Sequence, residues 1–111
     1  MKKLQHVEEE TKYVVLKETV DEKEPQFLSL FNVYGTDSEG IPKIGRPTYV
    51  NGIHKIKYAR LFEYYETAER HCKGLDKYNK AENIKYSVME VVITTAFDCR
   101  PVPDSKKVKE N

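Results

Sequence analysis

The sequence predicts an α+β fold: one domain, an antiparallel sheet of four to five strands, one main helix packed on one face, in the order β-β-β-α-β. Three observations lead there. Short runs of β-branched and aromatic residues recur between polar breaks. An Asn-Gly pair, Asn51-Gly52, sits between two such runs. One later segment abandons the two-residue repeat of strands for the spacing of a helix.

The first strand is expected over residues 12–20, KYVVLKETV. DEKEP at 21–25 is a polar break closed by Pro25. Residues 26–34, QFLSLFNVY, read as the second strand, paired antiparallel with the first. Phe27, Phe31 and Val33 lie on one face, and Leu28, Leu30 and Tyr34 on the other. A strand apolar on both faces belongs inside a sheet with two covers. A single helix supplies one cover, so the second is expected from a dimer or a partner protein.

Residues 35–47, GTDSEGIPKIGRP, hold three glycines and two prolines and read as a long loop. Asn51-Gly52 then suggests a tight hairpin across 48–57, because a type I′ turn needs positive φ at both central residues. Ile53 and Ile56 are its expected anchors.

Tyr58, Leu61, Tyr65, Ala68, Cys72 and Leu75 follow helical spacing and form one stripe. The helix start is open between Tyr58 and Tyr64, since no Ser, Thr, Asp or Asn caps the segment near 58. Gly74 either ends the helix or is tolerated up to Asn79. Glu66 with Arg70, and Glu69 with Lys73, are pairs in the favourable order. Residues 84–97 read as the most convincing strand, with Met89, Val91, Ile93, Thr95 and Phe97 on one face and Tyr86, Val88, Glu90, Val92 and Thr94 on the other. The expected organisation is a flexible arm at 1–11, the domain at 12–98 and a flexible tail at 99–111.

The composition is polar. Charged residues make up 33%, apolar residues 39%, and the mean hydropathy is −0.71. The formal net charge is +1. That excludes a polyanionic DNA mimic and a uniformly basic coat protein. No apolar run approaches a membrane span, and the first residues do not read as a signal peptide. A cytoplasmic location is expected, with no membrane partner. Cys72 and Cys99 are read as reduced thiols.

No catalytic, cofactor or metal site is expected. GxSxG, HExxH, GxxxxGK[ST] and GxGxxG are all missing. His6, His54 and His71 lack ligand spacing, and His71 reads as a solvated residue beside the polar helix face. The protein is therefore expected not to be an enzyme.

Charge is distributed unevenly. Residues 41–60 contain Lys43, Arg46, Lys55, Lys57 and Arg60 and no acid. Residues 1–40 carry five lysines against nine acids. With Tyr49 and His54 the basic segment is a candidate surface for phosphate contact and base stacking. Lys55 and Lys57 would share a strand face. The chain also holds 8 tyrosines, more than a one-helix core buries. Tyr64, off the apolar stripe, joins the candidate contact set because tyrosine and arginine are favoured at protein interfaces.

Leu61, Phe62, Tyr65, Ala68, His71, Cys72 and Leu75, set before a final β-run, resemble the helix of small strand-rich accessory proteins of phages and mobile elements. The strand-to-helix layout is also similar to arm-type DNA-binding domains of integrases. The resemblance implies a small protein that binds or inhibits a host protein, the expected partners being a host protein or a second copy. The alternative is a DNA- or RNA-binding module using residues 41–60.

Overall fold

The computed structural model describes residues 4–107. It is an α+β fold. Strands β1 (Leu4–Thr19), β2 (Gln26–Leu28), β5 (Tyr49–Asn51) and β6 (Ile84–Cys99) form one sheet in the order β5-β2-β1-β6. Strands β3 (Asn32–Thr36) and β4 (Pro42–Gly45) form a second, two-stranded sheet. The main helix α1 spans Tyr65–Tyr78, and a short helix α2 spans Asp104–Lys107. The chain divides into two compact units, Thr11–Val91 and a unit of its two ends, described over 4–10 and 92–107.

Strands β1 and β2 pair antiparallel, with Leu16 opposite Phe27 and Lys17 opposite Gln26, as their alternation predicts. The expected second strand is split into β2 and β3, which belong to different sheets. Its first part pairs with β5 (Phe27 opposite Val50) and its second with β4 (Val33 opposite Ile44). The partner segment is interrupted as well. Arg46, between β4 and β5, takes a positive φ of 50°, and Pro47 has no N–H to offer a ladder. Opposite this kink the run is held by Ser29 N–H to the Thr48 carbonyl and Thr48 N–H to the Leu30 carbonyl.

The expected loop at 35–47 is largely the β3–β4 hairpin. Gly40, at φ of 80°, supplies the backbone its turn needs, and Gly35, at φ of 122°, lies within β3 where the register shifts between Val33 and Thr36. The Asp37 carboxylate accepts the N–H groups of Glu39 and Ile41, so one side chain organises the turn.

The Asn-Gly hairpin does not form. Asn51 is extended within β5, opposite Gln26, and only Gly52 has a positive φ. A type I′ turn needs both residues there. The chain instead leaves β5 into a 3-10 helix at Ile53–Tyr58.

This excursion answers the question of the second cover. Val14, Val15 and Leu16 are all buried, so β1 buries both faces. Val15 packs with Leu28, Ile44, Phe62, Ala68 and Leu75 beneath α1. Val14 and Leu16 pack with Phe27, and against them lie Ile56, Ala59 and Leu61. The segment around 56–61 covers the face for which a dimer or partner was expected. Ile56 serves as an anchor, whereas Ile53 is exposed.

Helix α1 starts after Tyr64, which is extended and makes no side-chain cap. Tyr58 therefore belongs to the 3-10 segment and not to the helix. Gly74 does not end α1. It is buried against Pro42 and Ile44 of β4, where a Cβ would overlap the Pro42 carbonyl oxygen. At the C-terminus Asn79 N–H donates to the Leu75 carbonyl, and its side-chain amide donates to the Ile44 carbonyl at 2.7 Å. The helix end is thereby fastened to β4.

Two stretches expected as arms carry regular structure. Residues 4–11 are the first half of β1, and β6 runs to Cys99 before α2. Lys109 and its neighbours from 108 onward lie outside the described residues.

Candidate functional site

The basic residues of 41–60 are split among several elements. Lys43 is exposed on β4, and Arg46 is exposed at the kink after it. His54, Lys55 and Lys57 are exposed on the 3-10 helix. With about three residues per turn, Lys55 and Lys57 point in different directions, so the shared strand face is lost. Lys57 Nζ lies 5.2 Å from the ring centre of exposed Tyr58. Arg60 lies over Phe62 at 5.5 Å. Tyr64 is exposed at the entry to α1. Among the described residues, none of these five cations forms an ion pair with an acid.

Tyr49 is unsuited to stacking on a ligand. Its ring is half-buried and covered by Lys17 at 4.4 Å. Its hydroxyl is buried without a hydrogen bond. Burial first, then the neighbouring Tyr86 hydroxyl, hold the Tyr49 phenol far above its usual range.

A salt-bridged clamp joins the β3–β4 turn to the end of α1. Asp37 accepts from Lys77 Nζ and from the Tyr78 hydroxyl, both at 2.7 Å. Lys77 also reaches Glu39 at 3.2 Å. The Lys77 contact, followed by Tyr78 and the Ile41 N–H, holds the Asp37 carboxyl well below the usual carboxylate range.

His71 differs from its expected place. It is half-buried between the rings of Phe31 and Phe62, at 5.3 and 4.8 Å. Its Nδ1–H donates to the Thr67 carbonyl at 2.8 Å. Burial lowers its pKa, and Arg60 and Arg70 add to that against the opposing Thr67 bond. A groove of about 450 Å³ is lined by Thr67, Arg70 and His71 of α1 and by Val33, Thr36, Gly40 and Pro42 of the hairpin. Of the two expected helix pairs, Glu69–Lys73 forms at 3.6 Å. Glu66–Arg70 does not form among the described residues.

Cys72 is half-buried on the apolar stripe, as expected, and its thiol is pushed up to about 11, chiefly by burial. Cys99 is exposed. Among the described residues no three His, Cys, Asp or Glu side chains are grouped so as to hold a metal ion. No described helix is long and apolar enough to cross a membrane.

Further apolar residues are exposed elsewhere. In the unit built from the two ends, Leu4 is 66%, Val7 60%, Val92 56% and Phe97 51% exposed. There His6 stacks on Phe97 at 6.3 Å. The sheet order makes β6 an edge strand along its 16 residues. No family model, curated protein or solved structure matches the chain.

Proposed function

We propose that the protein is a non-enzymatic interaction module that receives an extended protein strand along the β6 edge, first of all the β6 of a second copy. The observation carrying this reading is the long open edge beside exposed Val92 and Phe97. An edge strand offers a row of unpaired N–H and C=O groups to another chain. A ribbon of two strands with apolar side chains in water is marginal alone and gains from a third strand. Two copies can meet edge to edge about a two-fold axis without needing a second surface. A host protein's extended segment would use the same groups, which is the form an accessory or inhibitor role takes here.

A pair of proline variants tests the reading. Neighbouring residues of a strand send their N–H groups to opposite edges. Thr94 and Thr95 are adjacent, exposed and chemically alike. Of Thr94→Pro and Thr95→Pro, one removes a bond to β1 and the other removes an N–H from the open edge. The expected result is that wild type shows a concentration-dependent rise in mass by light scattering. One variant loses this rise while keeping the wild-type unfolding transition. A strict monomer at millimolar concentration sinks the reading.

A second reading, DNA or RNA binding, rests on Lys43, Arg46, Lys55, Lys57 and Arg60, which form no ion pair among the described residues, together with exposed Tyr58. It requires binding to a labelled duplex or single strand that falls steeply with salt. It also requires that Lys55→Glu with Lys57→Glu abolish that binding.

A further inference from the structure

The groove between α1 and the β3–β4 hairpin is distinct from the edge strand and has a chemistry of its own. Thr67, Arg70 and His71 stand at helical positions i, i+3 and i+4, so they share one face of α1. That face meets Val33, Thr36, Gly40 and Pro42 across the groove. The lining carries a guanidinium, an imidazole and two threonines, and no carboxylate.

The two acids of the adjoining hairpin are engaged elsewhere, and no acid pairs with Arg70 among the described residues. Asp37 and Glu39 of the same hairpin are bound to Lys77. Glu66, one turn before Arg70, forms no ion pair with it among the described residues. Arg60, from the segment before α1, adds its field at His71. Arg70 therefore keeps its donor fork available, and that fork matches an oxyanion with two parallel bonds. Val33 and Pro42 supply apolar wall beside the charge. The volume, about 450 Å³, suits a small organic molecule better than a bare ion.

We propose that this groove binds a small organic molecule through an oxyanion held by Arg70 and His71. Two features of His71 support it. Its Nδ1–H is committed to Thr67, which fixes the ring and leaves Nε2 as the atom that changes protonation. The groups that face it are the aromatic rings of Phe31 and Phe62, the Thr67 carbonyl, and the charges of Arg60 and Arg70. Burial and those two cations disfavour the imidazolium, and an arriving anion opposes both effects. Binding is then coupled to proton uptake at His71, so affinity rises as pH falls.

The test uses the full chain, 15N-labelled, titrated with benzenesulfonate, phenyl phosphate and benzoate and followed by NMR. Saturable shifts are expected at Thr36, Gly40, Thr67, Arg70 and His71. Arg70→Gln should weaken binding by about tenfold or more, since a charged bidentate contact is lost. Benzenesulfonate does not itself titrate, and its affinity should be about threefold or more higher at pH 5.5 than at pH 7.5. In His71→Gln that difference should vanish while the unfolding transition persists. Tighter binding of phenyl phosphate marks a phosphate-bearing ligand, and tighter binding of benzoate a carboxylate. No saturable shift for any probe at 10 mM overturns the proposal. So do shifts centred on Lys55 and Lys57, or undiminished binding by Arg70→Gln.

Discussion

Replacing Gly74 by alanine sets two known effects against each other. In an open helix the change stabilises by roughly 0.5–1 kcal/mol, because glycine loses more backbone entropy on folding. In α1 the added methyl overlaps the Pro42 carbonyl oxygen and approaches Ile44 Cδ1 at 3.3 Å and Pro42 Cγ at 3.4 Å. The first obstacle is backbone of a paired strand, so it cannot rotate aside. Adding a methyl to a packed site typically costs about 1–3 kcal/mol. The overlap therefore wins, and Gly74→Ala should destabilise by about 0.5–2 kcal/mol net. For a chain of this size that lowers Tm by several degrees. Urea unfolding followed by circular dichroism measures it, with Lys73→Ala as an exposed neighbour expected to change little. A higher urea midpoint for Gly74→Ala would show that α1 does not pack this closely on β4.

Leu75→Ala empties a fully buried position and should cost about 2–5 kcal/mol in the same assay. Tyr49→Phe removes a buried hydroxyl that makes no hydrogen bond, so stability should hold or rise, by up to about 1–3 kcal/mol. The Asp37 carboxyl is held below its unfolded value, so its stabilisation is present above about pH 4 and is lost as the medium grows more acidic. Thermal melts should show Tm falling below that pH, and Asp37→Asn should lower Tm at pH 7 while making the acid limb shallower. An unchanged acid limb in Asp37→Asn would place the sensitivity elsewhere.

The elements legible in the sequence are those whose period is strong. Residues 84–97 are rich in β-branched and aromatic residues, and Tyr65, Ala68, Cys72 and Leu75 keep helical spacing, so β6 and α1 were readable. The first half of β1 was not, because Glu8, Glu9 and Glu10 carry no apolar alternation. Its strand character comes from its neighbour β6 and not from its own side chains. The β3–β4 hairpin hid behind glycines and prolines that mark turns and bulges as readily as loops. Asn51-Gly52 misled because Asn51 is claimed by a ladder with Gln26, a tertiary pairing invisible in local sequence. At the sites, the exposed cations of 41–60 were legible as charge. Their dispersal over β4, the kink after it, a 3-10 helix and the segment beyond was not. Arg70 and His71 read as a polar helix flank, since only the folded hairpin turns that flank into a groove wall. The helical spacing of Thr67, Arg70 and His71 was the available signal.

Amide hydrogen exchange along Ile84–Cys99 at low and high protein concentration reads out whether β6 takes a further strand at its edge. At low concentration protection is expected at every second amide, those bonded to β1, with rapid exchange between them. At high concentration the intervening amides should become protected while those of β5 do not change. Uniform protection of β6 at all concentrations, or an alternation that concentration leaves untouched, would contradict strand addition at that edge.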